Sequence, residues 1–326
     1  MDNFDIEFRI RPRPDNKELV SALVEAVTTS GSVYDEKLGY WSDMDNRGPF
    51  DDRPLEEAIE VVSADQGAIW FLYNDISYCL AIRPQPIEKS KLGHIGIWID
   101  HVYLDPSYTE DRLGEKSALD ECLMNAEQLV EIAKAVWNVL EPKPIYGLGD
   151  YDIHDWVTAP TDEEILNLKV EPYIFILNFY GPELIEKFGK EKLLSMPAYM
   201  VEELDDGLMF LKSHLPVEHG YGIGRGISKG IYEHMGWKTY FVNIFNIDMF
   251  KPRVREYGIR KKEFRDISAL KKYLKRDMDK FRKKVEGGRV FVILEKQSGK
   301  PVPHHMREME RWVIDEMGAE VTDIAW

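Results

Sequence analysis

Cysteine is nearly missing: Cys79 and Cys122 are the only two in 326 residues. Two thiols in so long a chain make no disulfide framework, which excludes a disulfide-built secreted scaffold. Both lie in apolar surroundings and are expected as buried, inert thiols. Long apolar runs are missing too. None approaches the ~20 residues that a membrane helix needs, so no membrane partner is expected. The opening stretch, MDNFDIEFRIRPRP, alternates charge with apolar residues and lacks a signal-peptide core. A cytoplasmic protein is the expectation. Familiar catalytic signatures are also lacking. HExxH does not occur at His304-His305, and neither a Walker spacing nor a GxGxxG after a strand is present. DMDNRG invites a calcium-loop reading, but the fifth and twelfth positions hold Arg47 and Pro54, which rejects it.

What is there is charge, unevenly spread. The net charge is −16. Residues 251–290 hold 16 Lys and Arg against 6 Asp and Glu, a local +10, so the remainder carries −26. An acidic body disfavours nonspecific nucleic-acid binding and suits basic partners. The basic segment either contacts nucleic acid or pairs with the acidic body.

Tyr173 to Pro216 organises the chain. The apolar, aromatic run Tyr173 to Tyr180 suits a strand buried on both faces. Gly181-Pro182 breaks it, and proline at a first helical turn loses no needed hydrogen bond. Leu184, Ile185 and Phe188 give a short helical face that Gly189 ends. A strand from Gly207 to Ser213 returns after Asp205-Asp206-Gly207. Earlier, Phe4, Ile6, Phe8 and Ile10 alternate with charged residues, as in a half-exposed strand. A helix follows with Leu19, Val20, Leu23, Val24 and Val27 inward, closed by Gly31. Residues 32–53 read as an aromatic loop. Gly67 to Tyr73 and Ile76 to Ile82 are strands joined at Asn74-Asp75. Ile95 to Leu104 is another; His101 and Asp100 look like a pair, but neighbours in a strand face opposite ways.

The longest helix spans Lys116 to Leu140. Its stripe comprises Leu119, Cys122, Leu123, Ala126, Leu129, Val130, Ala133, Val136, Trp137 and Leu140. In the last part, Asp266 caps a basic helix, Ser268 to Val285. Strands at Thr239 to Ile247, Arg289 to Leu294 and Val321 to Ala325 flank helices in an order that allows a parallel crossover. The expected fold class is α+β. A mixed, mostly antiparallel sheet with packed helices spans 1–216, and a smaller α/β unit with a basic helix spans 217–326.

Three loops carry candidate sites. Tyr40 and Trp41 either anchor a partner or cover the core beneath their loop. Asp150, Asp152, His154 and Asp155 are the densest group of metal-ligand types, although the spacing matches no standard site. The other reading is a turn or partner surface holding Asp150, Asp152 and Trp156. Gly222 and Gly224, with Arg225 and Lys229, could cradle a phosphate on free N–H groups, or form a tightly turned connector.

Residues 119–215 carry a resemblance. An apolar helix leads into IYGLGDYD, and after a spacer comes FILNFYGPELIEKFGKEKLLSMPAYMVEELDDGLMFL. This resembles the immunity-protein group of polymorphic-toxin systems called immunity protein 52. The resemblance implies a noncatalytic binding protein that neutralises a protein toxin, without specifying functional residues. A basic toxin is the expected partner, because complementary charge speeds encounter. No cofactor is expected. Two alternatives stand beside it: a metal- or phosphate-dependent enzyme using the 150–155 or 220–230 loop, and nucleic-acid association through 251–289.

Overall fold

The computed structural model describes residues 3–13, 16–42, 54–74, 76–86, 90–106, 115–151, 159–171, 174–212, 230–237, 239–245, 253–256, 260–284, 289–296, 309, 311–313, 316 and 320–325. The chain divides into two compact units. The first comprises Met1–Asp152, Pro160–Lys169 and Phe175–Gly220; the second comprises Ile153–Ala159, Val170–Ile174 and Tyr221–Trp326. The fold is α+β.

The first unit runs β1 (Asn3–Ile10), α1 (Asn16–Thr29), β2 (Val33–Tyr34), β3 (Tyr40–Ser42) and α2 (Leu55–Asp65). Then come β4 (Gly67–Tyr73), β5 (Ile76–Arg83), β6 (Gly93–Asp100), a single 3-10 turn (His101–Tyr103) and α3 (Glu115–Val139). It finishes with β7 (Tyr146–Tyr151), α4 (Asp162–Leu166), β8 (Leu177–Tyr180), α5 (Pro182–Phe188), α6 (Lys190–Leu194), β9 (Met200–Leu204) and β10 (Gly207–Leu211). The strands form one 10-stranded sheet in the order β2-β4-β5-β6-β1-β7-β8-β10-β9, with β3 also on β4. Its described pairings are antiparallel.

Alternation in β1 sends Phe4, Ile6, Phe8 and Ile10 to one face, where they meet the stripe of α1. That stripe is Leu19, Val20, Leu23, Val24 and Val27, the set the helical spacing selects. α2 and α3 add Val62, Leu129, Val136 and Trp137 to the same core. Trp137 stacks on Phe179 at 5.4 Å between ring centroids, and Phe8 meets Phe179 edge-on at 5.0 Å. These rings fit because β7 carries glycine there. A Cβ on Gly147 would lie 2.8 Å from a Phe8 ring carbon. Tyr146–Tyr151 is therefore a central strand, with its glycines making room for aromatic packing, and not a turn.

The other face of β1 corrects an expectation. A half-exposed strand would leave Asp5, Glu7 and Arg9 in water, yet Asp5 and Glu7 are buried. The reason is position: β1 lies in the middle of the sheet, between β6 and β7. The stripe of α3 is also narrower than its sequence suggests, since Leu119 is exposed. Ten apolar positions span more of a helix than one sheet can cover. Asp100 and His101 do meet, with 3.4 Å between Oδ1 and Nδ1. The strand ends at Asp100 and the chain turns into a 3-10 helix, so the alternation rule no longer applies; Asp100 Oδ1 accepts from Val102 N at 3.1 Å.

The second unit contains β11 (Thr239–Phe245), β12 (Arg253–Glu256), β13 (Arg260–Glu263), α7 (Ile267–Lys284), β14 (Arg289–Lys296) and β15 (Glu320–Ala325). The strand order is β13-β12-β11-β14-β15. β11 and β14 pair in parallel, as do β14 and β15, while β12 is antiparallel to both neighbours. α7 packs on β11 and β14 with Leu270, Tyr273 and Leu274 buried. Asp266 caps it, accepting from Ala269 N at 2.8 Å. Among the described residues, no helix is long and apolar enough to cross a membrane.

Candidate functional site

Two surfaces of the first unit concentrate chemistry. One is the sheet face opposite the large core. Register sets Glu7 of β1 beside Gly96 of β6, and Arg9 beside His94; His94 in turn lies beside Arg83 of β5. Arg9 Nη2 donates to Glu7 Oε2 at 2.6 Å, and His94 Nε2 lies 3.4 Å from Glu7 Oε1. Arg9 Nη1 also approaches Asp162 Oδ1, at 3.7 Å. Asp162 Oδ2 accepts from Ser90 Oγ at 2.5 Å, Lys91 N at 2.6 Å and Leu92 N at 3.0 Å. Burial pushes the Asp162 carboxyl up, but those hydrogen bonds and the Arg9 charge outweigh it and hold it below the usual carboxylate value.

This network ties β1, the turn before β6 and the start of α4 together. With Glu7 fully buried, it presents no carboxylate of that residue to solvent. Its physical work is to fix register: slipping β1 by one residue would bring Glu7 to the apolar face. Gly96 serves the same packing. A Cβ there would lie 2.9 Å from Trp98 Nε1 and 3.2 Å from His94 Nε2, so the two rings occupy its space. Beyond them, Trp70 and Trp98 pack on Ala68, Cys79 and Ala81. Burial pushes the Cys79 thiol up, against a smaller opposing effect of Arg83. Neither cysteine is in a disulfide.

The residues singled out from sequence separate on this frame. Tyr40 is buried in the large core. Trp41 belongs to the opposite face, half-buried, with the Arg83 guanidinium carbon 5.6 Å from its ring centroid. Asp150 lies in β7, opposite Asp5 in register, and accepts from Ile176 N at 3.3 Å. Asp152, His154, Asp155 and Trp156 lie outside the described residues, as do Gly222, Gly224, Arg225 and Lys229. Among the described residues, no group of three His, Cys, Asp or Glu could hold a metal ion.

The second surface is the outward side of α3. Met124 is 61% exposed, and the exposed Asp120, Glu127 and Glu131 flank it; Leu119, 42% exposed, projects from another side of the helix. Positions 120, 124, 127 and 131 follow helical spacing, so they form one ridge. Lys134 extends it to the sheet, with its Nζ 2.8 Å from Glu131 and 2.8 Å from Glu202 of β9. Partial burial works against the Lys134 ammonium, but the two carboxylates outweigh it and raise its pKa. β9 ends the sheet, and Tyr199 beside it is 55% exposed. Sequence reading placed Leu119 inward and passed over Met124. The available signal was Met124 among charges on the polar side of a strongly striped helix. Such a surface can bind a protein: a large apolar side chain in a carboxylate rim. No protein-family model, curated protein or solved structure matches this chain.

Proposed function

We propose that the chain is a noncatalytic binding protein that docks a basic protein on the outward ridge of α3. The observation that carries this reading is the exposure of Met124 between the carboxylates of Asp120, Glu127 and Glu131 on one ridge of α3. A large exposed apolar side chain set among carboxylates matches the build of a binding surface, with an apolar centre and a charged rim. The charge of −26 outside residues 251–290 favours the same kind of partner, because opposite charge raises encounter rates. The ridge lies within 119–215, and the resemblance read there to immunity protein 52 favours a protein toxin as the partner. In this reading the protein works in the cytoplasm, where it would meet such a toxin.

The test is co-expression with the product of the neighbouring reading frame, followed by affinity purification. A stoichiometric complex is expected. Met124→Lys sets a cation against a basic surface and should weaken it at least a hundredfold. Glu127→Lys, at the rim, should mainly slow association and lessen its salt dependence. A neighbour product that does not bind, or one that binds Met124→Lys as tightly as the wild type, overturns the proposal.

A further inference from the structure

The second unit concentrates positive charge at a cost to its own stability. β12 and β13 pair antiparallel at the sheet edge. Three residues later α7 begins, with Arg265 in the link and highly exposed. Along α7, Lys272, Lys275, Arg276, Lys280 and Lys283 are all exposed. Pairs such as 272/276, 276/280 and 280/283 repel at helical spacing.

Acidic groups on the unit offset only part of this. Asp277 takes Arg276 and Lys280, at 2.9 and 3.2 Å, and the Arg276 hydrogen bond leads the effects that hold its carboxyl at about 2. Glu316 lies 3.4 Å from Lys275, and Asp266 lies 3.0 Å from Arg265. Asp279 is exposed on the same helix. Lys272 and Lys283 make no ion pair among the described residues. They are separated by about 16 Å along the axis at ~1.5 Å per residue, the rise of roughly five nucleotides of one strand at ~3.4 Å each.

We infer that the exposed basic face of α7 forms a surface for the phosphate backbone of a nucleic acid. It reads no sequence, because flexible lysines position a backbone without specifying bases. This is independent of the α3 ridge, which lies in the other unit and carries the opposite charge.

The test uses the full chain and fluorescently labelled 20-nucleotide oligonucleotides, one single-stranded and one duplex, by anisotropy from 50 to 300 mM salt. At least one should bind at 50 mM, with log K falling linearly against log salt at a slope of about −3 to −4 for four neutralised phosphates. Lys272→Gln with Lys283→Gln should weaken binding at least tenfold and reduce the slope by about 2. Both positions are exposed, and circular dichroism checks that the double variant folds. The arm that binds more tightly identifies the strand form. No anisotropy change at 50 mM with either oligonucleotide overturns the inference, as does an unchanged slope in the folded double variant.

Discussion

Replacing Asp162 by Asn removes a charge and little else. The amide keeps the size and one acceptor oxygen, so Ser90 Oγ, Lys91 N and Leu92 N retain a partner. What is lost is the charge assistance of those bonds, and Arg9 now faces an amide where the carboxylate stood 3.7 Å away. Hydrogen bonds to charged groups contribute about 1.5–3 kcal/mol and neutral ones about 1. Three that share one oxygen do not add fully, so the expected loss is about 2 kcal/mol at pH 7. The pH dependence follows from direction. The folded carboxyl titrates below its ordinary value, so its contribution is complete above the unfolded value of about 4 and disappears as pH falls through the folded one. Urea unfolding of wild type and Asp162→Asn, followed by tryptophan fluorescence from pH 7 downward, measures both. The variant should be weaker by about 2 kcal/mol at pH 7, with the gap closing below about pH 4. Equal stability at pH 7 would refute the role given to this carboxylate. So would a gap that persists unchanged to the lowest pH at which the protein folds.

Other perturbations test the packing. A Cβ on Gly207 would lie 2.5 Å from Trp137 Cζ2, and Trp137 is fully buried; Gly207→Ala should therefore cost about 1–3 kcal/mol by overpacking. A thermal melt unchanged from wild type would show that the ring has room to move. Cys79 and Cys122 are both buried, and burial pushes the Cys79 thiol up, so Ellman's reagent should leave the native protein unlabelled and react with two thiols in urea. Rapid native labelling of either cysteine would contradict that burial.

Much of the fold was legible where local chemistry and global packing agree. Gly181, Pro182 and Gly189 mark the ends of α5 and sit there as N-cap, first-turn proline and C-cap. The five inward residues of α1 follow from spacing alone. β12 and β13 were not legible: RVRE and RKKE show no apolar alternation, and only the neighbouring strand makes them strands. β1 gave its apolar face but not its central position, because sheet order is a long-range property. For the same reason Glu7 and His94, which are 87 positions apart, could not be paired from sequence. The site reading stood on loops, whereas the chemistry of the described residues lies on strands and a helix. Trp41 joins that arrangement through Arg83, while Tyr40 turned into the core. Met124 was passed over because one methionine among charges gives no periodic signal.

The proposal that this protein captures a basic partner depends most on the α3 ridge. Calorimetric titration of the neighbouring reading frame's product into wild type and into Met124→Lys tests it directly. The account predicts one-to-one binding by the wild type, weakened at least a hundredfold in the variant while its thermal unfolding stays unchanged. Equal affinities for the two, or no heat of binding with the wild type, would contradict it.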